Sequence, residues 1–403
     1  MAYDVDKIRA QYPALADGRA WLDGAAGTQV PQRVIDAVTE TYRVGVSNQG
    51  GPYESSRRAS GIVAEARGAV ADLVGAPDPD CVVFGPTMTA LTYRFAAVLA
   101  NGWSPGDEVV VTRLDHDANV RPWVQSALRA GATVRLADID PKTGELPAGN
   151  VTELITEHTK LVAVTAASNL LGTVPDLRSI TARATEVGAV SYVDGVQHCP
   201  HARVRLADLG ADLYATSAYK WAGPHLAAVV AADHWTLETL HPEKLLPSPD
   251  SIPDRFELGT NPFAPMAGLV AAVDHLAELD SDAEGTRAEK LATSRNAVVA
   301  HEDELRQQLF AGLAALDGVT RYGPEHGKCT PTAFFTVDGV APTAVAEKLA
   351  ERGINVSSGH SYAWETVQAL GLGSEGGVRA SVSHYSTADD VRRLLEGLAE
   401  LTR

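Results

Sequence analysis

Lys220 lies in the stretch "DLYATSAYKWAGPHLAAVV" (212–230), among small, aromatic and apolar residues with no acidic neighbour after Asp212. A lysine in such surroundings must be solvated, paired or chemically engaged, because an uncompensated buried charge is costly. Three chemistries compete for it: a surface lysine whose stem lies along apolar groups, the lysine of a Ser-x-x-Lys acyl-transfer pair with Ser217, or a lysine linked to a carbonyl cofactor. Other reactive side chains recur at matching places. Gly85, Pro86, Thr87 and Met88 join the apolar run "CVVF" to a helical segment, and His116 follows "EVVVTRLD". Asn169 follows "LVAVTAAS" and Asp194 follows "VSYV". Taken singly, each has a plain structural reading as a helix cap, a turn residue or a structural histidine. Their joint occurrence at successive strand ends points to one ligand site, since open α/β sheets bind ligands beyond the carboxyl ends of their strands.

Together these residue types match what pyridoxal phosphate requires. A lysine must link to the aldehyde, because an amine adds there and is displaced by a substrate amine. A carboxylate must keep the pyridine nitrogen protonated so that the ring can accept electrons. An amide must address the phenolic oxygen, a flat side chain must cover the ring, and a helix N-terminus with hydroxyls must hold the phosphate.

The elements that position these residues alternate along the chain. From about 60 to 235, helical segments such as "SGIVAEARGAVADLVG" and "PTMTALTYRFAAVLA" separate short β-branched runs such as "DEVVVTRLD", "TKLVAVTAAS" and "VSYVDG". That pattern predicts a mostly parallel sheet with crossover helices. From roughly 260 the texture changes to long helical stretches, then "CTPTAFFTVDG", "GVRASVSHYS" and a closing helix, as in a smaller α+β domain. The expected division is an N-terminal segment (1–20) packing on the small domain, a large cofactor-binding domain (21–260) and a small C-terminal domain (261–403).

Composition narrows the partners. The 403 residues carry 34 basic and 51 acidic side chains, a net charge of −17, which disfavours nucleic acid and anionic membranes. Cysteines 81, 199 and 329 lie far apart, so neither a disulfide framework nor a zinc cluster is indicated. The first twenty residues lack an apolar signal core, and no apolar run reaches membrane-spanning length. A soluble cytoplasmic protein is expected.

Seven segments, in order, resemble motifs of the class V aminotransferases, and within them the cysteine desulfurase and selenocysteine lyase branch. They are "WLDGAAGTQVP", "LDHDANVRPW", "ASNLLGTVPDL", "YVDGVQHCPH", "TSAYKWAGP", "RFELGTNP" and "VRASVSHYST". The resemblance runs through nearly the whole chain and implies the pyridoxal-phosphate fold of type I, α/β with a large mostly parallel-sheet domain and a smaller α+β domain. It implies Lys220 as the Schiff-base lysine and Asp194 at the pyridine nitrogen. Gln197 and Asn169 are implied at the phenolic oxygen, and His116 as the stacking and proton-moving group. Thr87, Ser217 and Met88 are implied as phosphate holders, with Tyr219 where relatives usually carry histidine. Thr260 is implied to reach the neighbouring subunit's phosphate in a homodimer with shared sites. Arg379 is implied to grip the carboxylate of a small amino-acid substrate, with His360 and Tyr362 also on the substrate side.

One departure bears on the reaction. Relatives that desulfurise cysteine carry a nucleophilic cysteine in a loop resembling "RTGHHCA", whereas this loop reads "SSGHSYA" (357–363), with Tyr362 at the cysteine's place. A tyrosine cannot take sulfur as a persulfide, so β-elimination of the C–S lyase type leads the expectations. Aminotransfer, epimerisation, other carbanion chemistry, a desulfurase using another cysteine and a non-catalytic scaffold remain alternatives. Three other motifs point elsewhere. "KTG" at 142–144 with Ser217 and Lys220 suggests an acyl enzyme, but no Ser-Asp-Asn follows. "GLGSEG" (371–376) precedes a strand-like run instead of opening a helix, and "HCPH" (198–201) lacks a third metal ligand at plausible spacing.

Overall fold

The structure is a computed structural model that describes residues 3–325 and 327–402. Strand β1 (Ala20–Trp21) precedes the seven strands of the central sheet. These are β2 (Val82–Gly85), β3 (Glu108–Thr112), β4 (Thr133–Ala137), β5 (Thr159–Thr165), β6 (Val190–Asp194), β7 (Leu213–Ser217) and β8 (Ala227–Ala231). Their spatial order is β2-β8-β7-β6-β5-β3-β4. Strands β3 to β7 pair in parallel, while β8 runs antiparallel to both of its neighbours, β7 and β2. The sheet is therefore mixed at one side only.

Helices cover both faces, which explains why the strands read as continuous apolar runs and not as alternating ones. Leu161 and Ala163 of β5 face one core with Phe95 and Trp123, from the helices Met88–Ala100 and Arg121–Ala130. Val162 and Val164 face the other core with Val70, Ile180 and Met266. Those three come from the helices Glu54–Val74, Leu177–Glu186 and Phe263–Ala277. The helix Phe263–Ala277 packs against Gln32–Val44 and Glu54–Val74. Gly268 permits that approach, since a Cβ there would meet Val38 at 2.7 Å.

A second sheet follows, with β9 (Val319–Tyr322), β10 (Thr332–Val337), β12 (Ser357–Gly359) and β13 (Gly377–Ser381) in the antiparallel order β12-β13-β10-β9. The short β11 (Ile354–Asn355) pairs in parallel with β1. The helices Arg287–Ala314 and Ala388–Leu401 both begin with a capping box, Thr286 with Glu289 and Thr387 with Asp390. Each cap satisfies orphan N–H groups and stabilises its helix by about 1 kcal/mol.

The N-terminal segment is bound both to the core on the central sheet and to the C-terminal region. Ile8, Tyr12 and Leu15 join the core on one face of the central sheet. Arg9 pairs with Asp390 at 3.0 Å, and the Tyr12 hydroxyl lies 2.7 Å from His275 Nε2 and 2.5 Å from His384 Nε2. The segment after β8 is anchored by buried Arg67, which bonds Val82 O and pairs with Glu257 (2.9 Å) and Asp254 (3.0 Å). Among the described residues no helix is long and apolar enough to cross a membrane.

Candidate active site

A cavity of about 760 Å³ opens at the carboxyl edge of β5, β6 and β7. Thr87, Met88, His116, Asn169, Asp194, Gln197, Ser217, Tyr219, Lys220, Tyr362 and Arg379 all line it. Thr260 lies apart, in a groove shared with Gly85, Pro86 and Tyr93. His360 stands behind the wall: its Nδ1 accepts the Tyr362 N–H at 3.0 Å, and its ring meets those of Tyr362 and Trp364 edge-on.

Strand β7 ends at Ser217, and one tight turn, Ala218–Lys220, carries the lysine into the cavity wall. Trp221 closes that turn with an N–H to Ala218 O at 2.9 Å, while its indole N–H bonds Thr216 Oγ1 at 2.9 Å. Lys220 is 6% exposed. Burial drives its pKa down, Arg379 adds repulsion, and Asp194 only partly opposes them. Burial likewise raises the Asp194 carboxyl, against the Val196 N–H at 2.9 Å and the charge of Lys220. A lysine deprived of hydration and of a close ion pair is a competent nucleophile and base.

Arg379 is almost fully buried, and burial lowers its pKa to about 10. Its Nη1 donates to Asn169 O at 2.8 Å, but its Nε has no partner, and it makes no ion pair among the described residues. A buried guanidinium with an unused donor is an anion site in waiting. At the opposite end of the chemistry, Thr87 caps the helix Met88–Ala100. Its Oγ1 accepts the Ala90 N–H at 3.1 Å, which leaves the hydroxyl proton to donate elsewhere.

His116 accepts the Ala118 N–H on Nδ1 at 3.0 Å, so its proton resides on Nε2. Burial lowers its pKa to about 3, and the ring is neutral at physiological pH. The amide oxygens of Asn169 and Gln197 are buried without partners. One Asn169 N–H is committed to Ser361 O at 2.8 Å, leaving its second N–H free. Gln197 makes only a long contact with Thr332 Oγ1, 3.4 Å, so its amide can turn over and present its NH₂ to the cavity.

The loop after β12 forms the outer wall. Ser361 and Tyr362 adopt left-handed backbone, φ 48° and 58°, which costs about 1–2 kcal/mol per residue without glycine. Long-range bonds hold this turn in place. Asn169 grips Ser361, the Asp117 N–H donates to Tyr362 O at 2.7 Å, and Glu365 pairs with Arg113 (2.8 Å) and Arg121 (3.0 Å). The Tyr362 ring then lies over His116, centroids 5.4 Å apart and planes inclined by 26°.

No thiol reaches this wall. Cys81 and Cys199 are buried in the cores, and Cys329 lines a separate cavity with Arg306 and Glu302. Desolvation raises the pKa of all three. The "HCPH" segment holds no metal cluster among the described residues; His201 instead lies 2.8 Å from Glu302.

Asp117, Arg121 and His225 also line the cavity, and the strand-end pattern in the sequence had not marked them. Asp117 and Arg121 lie one and five residues past His116, an i,i+4 ion pair at 2.8 Å legible as helix-surface chemistry only. His225 precedes an antiparallel strand, so it arrives at the ligand edge from a strand start.

The donor set suits pyridoxal phosphate: a desolvated lysine, a buried carboxylate, two amides with unpaired oxygens, a capped helix N-terminus and a guanidinium with an unpaired Nε surround one cavity. Comparison with known proteins agrees. The profile of the family described as Aminotransferase class-V matches residues 20–394. An uncharacterized protein of Mycobacterium tuberculosis is 35% identical over 402 residues, 100% of each chain. A probable cysteine desulfurase of Pseudomonas aeruginosa is 35% identical, covering 97% of this chain and 96% of its own. The solved cysteine desulfurase CsdA of Escherichia coli superposes with a TM-score of 0.86 at 26% identity, covering 99% of this chain and 98% of its own. The chain thus belongs to the class V aminotransferase family, whose members are pyridoxal-phosphate-dependent enzymes.

Proposed function

We propose that this enzyme catalyses C–S lyase-type β-elimination on a small amino acid. The observation that carries the reading is the cavity wall: Tyr362 occupies it, and the three thiols are elsewhere and held protonated by burial. Sulfur therefore has no acceptor on the protein and must leave as the substrate's own leaving group.

When bound, pyridoxal phosphate supplies an electron sink for the bonds at the substrate Cα. Lys220 would hold it covalently, Asp194 would keep its ring nitrogen protonated, and Asn169 and Gln197 would donate to its phenolic oxygen. Thr87, the Met88 N–H, Ser217 and Tyr219 would hold the phosphate. His116, neutral and fixed as the Nε2–H tautomer, would cover the ring and act as a hydrogen-bond donor. Arg379 takes the substrate carboxylate, whose two oxygens fill its idle donors. Lys220, with its amine free, would remove the Cα proton as general base. The same proton then goes to the departing sulfur or selenium. Water completes the balance, so cysteine yields pyruvate, ammonia and sulfide.

The test is Tyr362→Cys. If only a thiol is missing, this variant should divert part of the product from pyruvate to alanine, with a persulfide on residue 362. A variant that makes alanine only at the wild-type ratio would show that the identity of residue 362 does not choose the path.

The reading includes a homodimer, in which Thr260, outside its own cavity, completes the phosphate site of the partner. Sedimentation should show a dimer, and monomeric fractions should bind cofactor poorly. A fully active monomer would contradict it.

A further inference from the structure

We infer that His225 is an additional member of the phosphate-binding subsite, supplying a positive charge that the hydroxyls there cannot. The sheet register carries this. In the β7–β8 ladder Ser217 is opposite Ala227, and Ala218 N–H continues the pairing to Leu226 O at 2.8 Å. The next position sets Tyr219 beside His225, and their rings stack with centroids 4.9 Å apart and planes 8° from parallel. On the other side of β8, Gly85 is opposite Ala227. Just past Gly85 the strand ends, and Thr87, the cap of the next helix, lines the same cavity as His225.

The charge argument is independent of that register. A phosphate monoester carries about −1.5 to −2 at neutral pH. The groups gathered at this end, Thr87, Ser217 and Tyr219, bring hydroxyls, and the helix N-terminus brings only partial charge. Lys220 is committed to the aldehyde under the proposed roles, and Arg379 to the substrate carboxylate. His225 lines the same cavity, is accessible to solvent, and is held flat against Tyr219. A ring N–H of His225 can donate to a phosphate oxygen.

The test compares two ligands on the full-length chain freed of cofactor: pyridoxal phosphate, and pyridoxal, which has the same ring and aldehyde but no phosphate. Both titrations are followed by the absorbance of bound cofactor. His225→Ala should weaken pyridoxal phosphate about five- to tenfold, as for one solvent-screened charge-assisted contact, and leave pyridoxal unchanged. His225→Lys, which keeps a cation, should stay within about threefold of wild type for pyridoxal phosphate. Equal losses for both ligands in the alanine variant, or no loss, would overturn the inference. So would a lysine variant as weak as the alanine one. The wild type separates this from the subsite itself: if it binds pyridoxal as tightly as pyridoxal phosphate, the phosphate assignment of Thr87, Ser217 and Tyr219 fails as well.

Discussion

Lys220→Ala should lose the borohydride-reducible link to pyridoxal phosphate completely and lower turnover by about 10⁴-fold, the upper range for a positioned general base. Two functions fall together because one nitrogen serves both. The lysine follows a rigid strand in a turn locked by Trp221, and among the described residues no other lysine lines the cavity. Its burial keeps it short of hydration, which is what makes it reactive at neutral pH. The fold should survive, since removing an amine without a close ion pair leaves no opposite charge stranded within bonding distance. An intact reducible link in this variant, read by mass spectrometry after borohydride treatment, would refute the assignment.

Asp194→Asn should retain the cofactor but cut turnover by about a hundredfold or more. The substitution is nearly isosteric, and an asparagine Oδ1 can still accept the Val196 N–H. It cannot hold a proton on the pyridine nitrogen, so the ring becomes a poorer electron sink. Thr87, Ser217 and Lys220 are untouched, and cofactor affinity should therefore change far less than turnover. Measuring both in one preparation separates an electronic role from a structural one: near-normal turnover would remove Asp194 from the chemistry.

The parts of the site legible in the sequence share one cause. Parallel strands deliver their carboxyl ends to a single edge, so Asn169, Asp194 and Lys220 could be gathered from three β-branched runs without knowing their spatial order. Thr87 was legible as the cap of an apolar helix, and the structure makes it one. His225 was not, because nothing in "GPHLAAVV" shows that β8 runs antiparallel and enters the site by its start. The outer wall was equally hidden. Glu365 meets Arg113 and Arg121 across some 250 residues, a pairing that no local spacing encodes. The strained turn at Ser361 and Tyr362 carries neither the glycine nor the asparagine that usually announces left-handed backbone. The N-terminal segment shows a similar limit: the polar cluster of Tyr12, His275 and His384 joins residues hundreds of positions apart, which no local spacing encodes.

Product identity tests the central claim most directly. The purified holoenzyme is incubated separately with cysteine, cystine and selenocysteine, and the three-carbon product is identified by chromatography and mass. β-Elimination expects pyruvate and ammonia in equal amounts, with sulfide, persulfide or selenide released from at least one of them and little alanine. Alanine with released sulfur as the main products, or no reaction with any of the three, would contradict it.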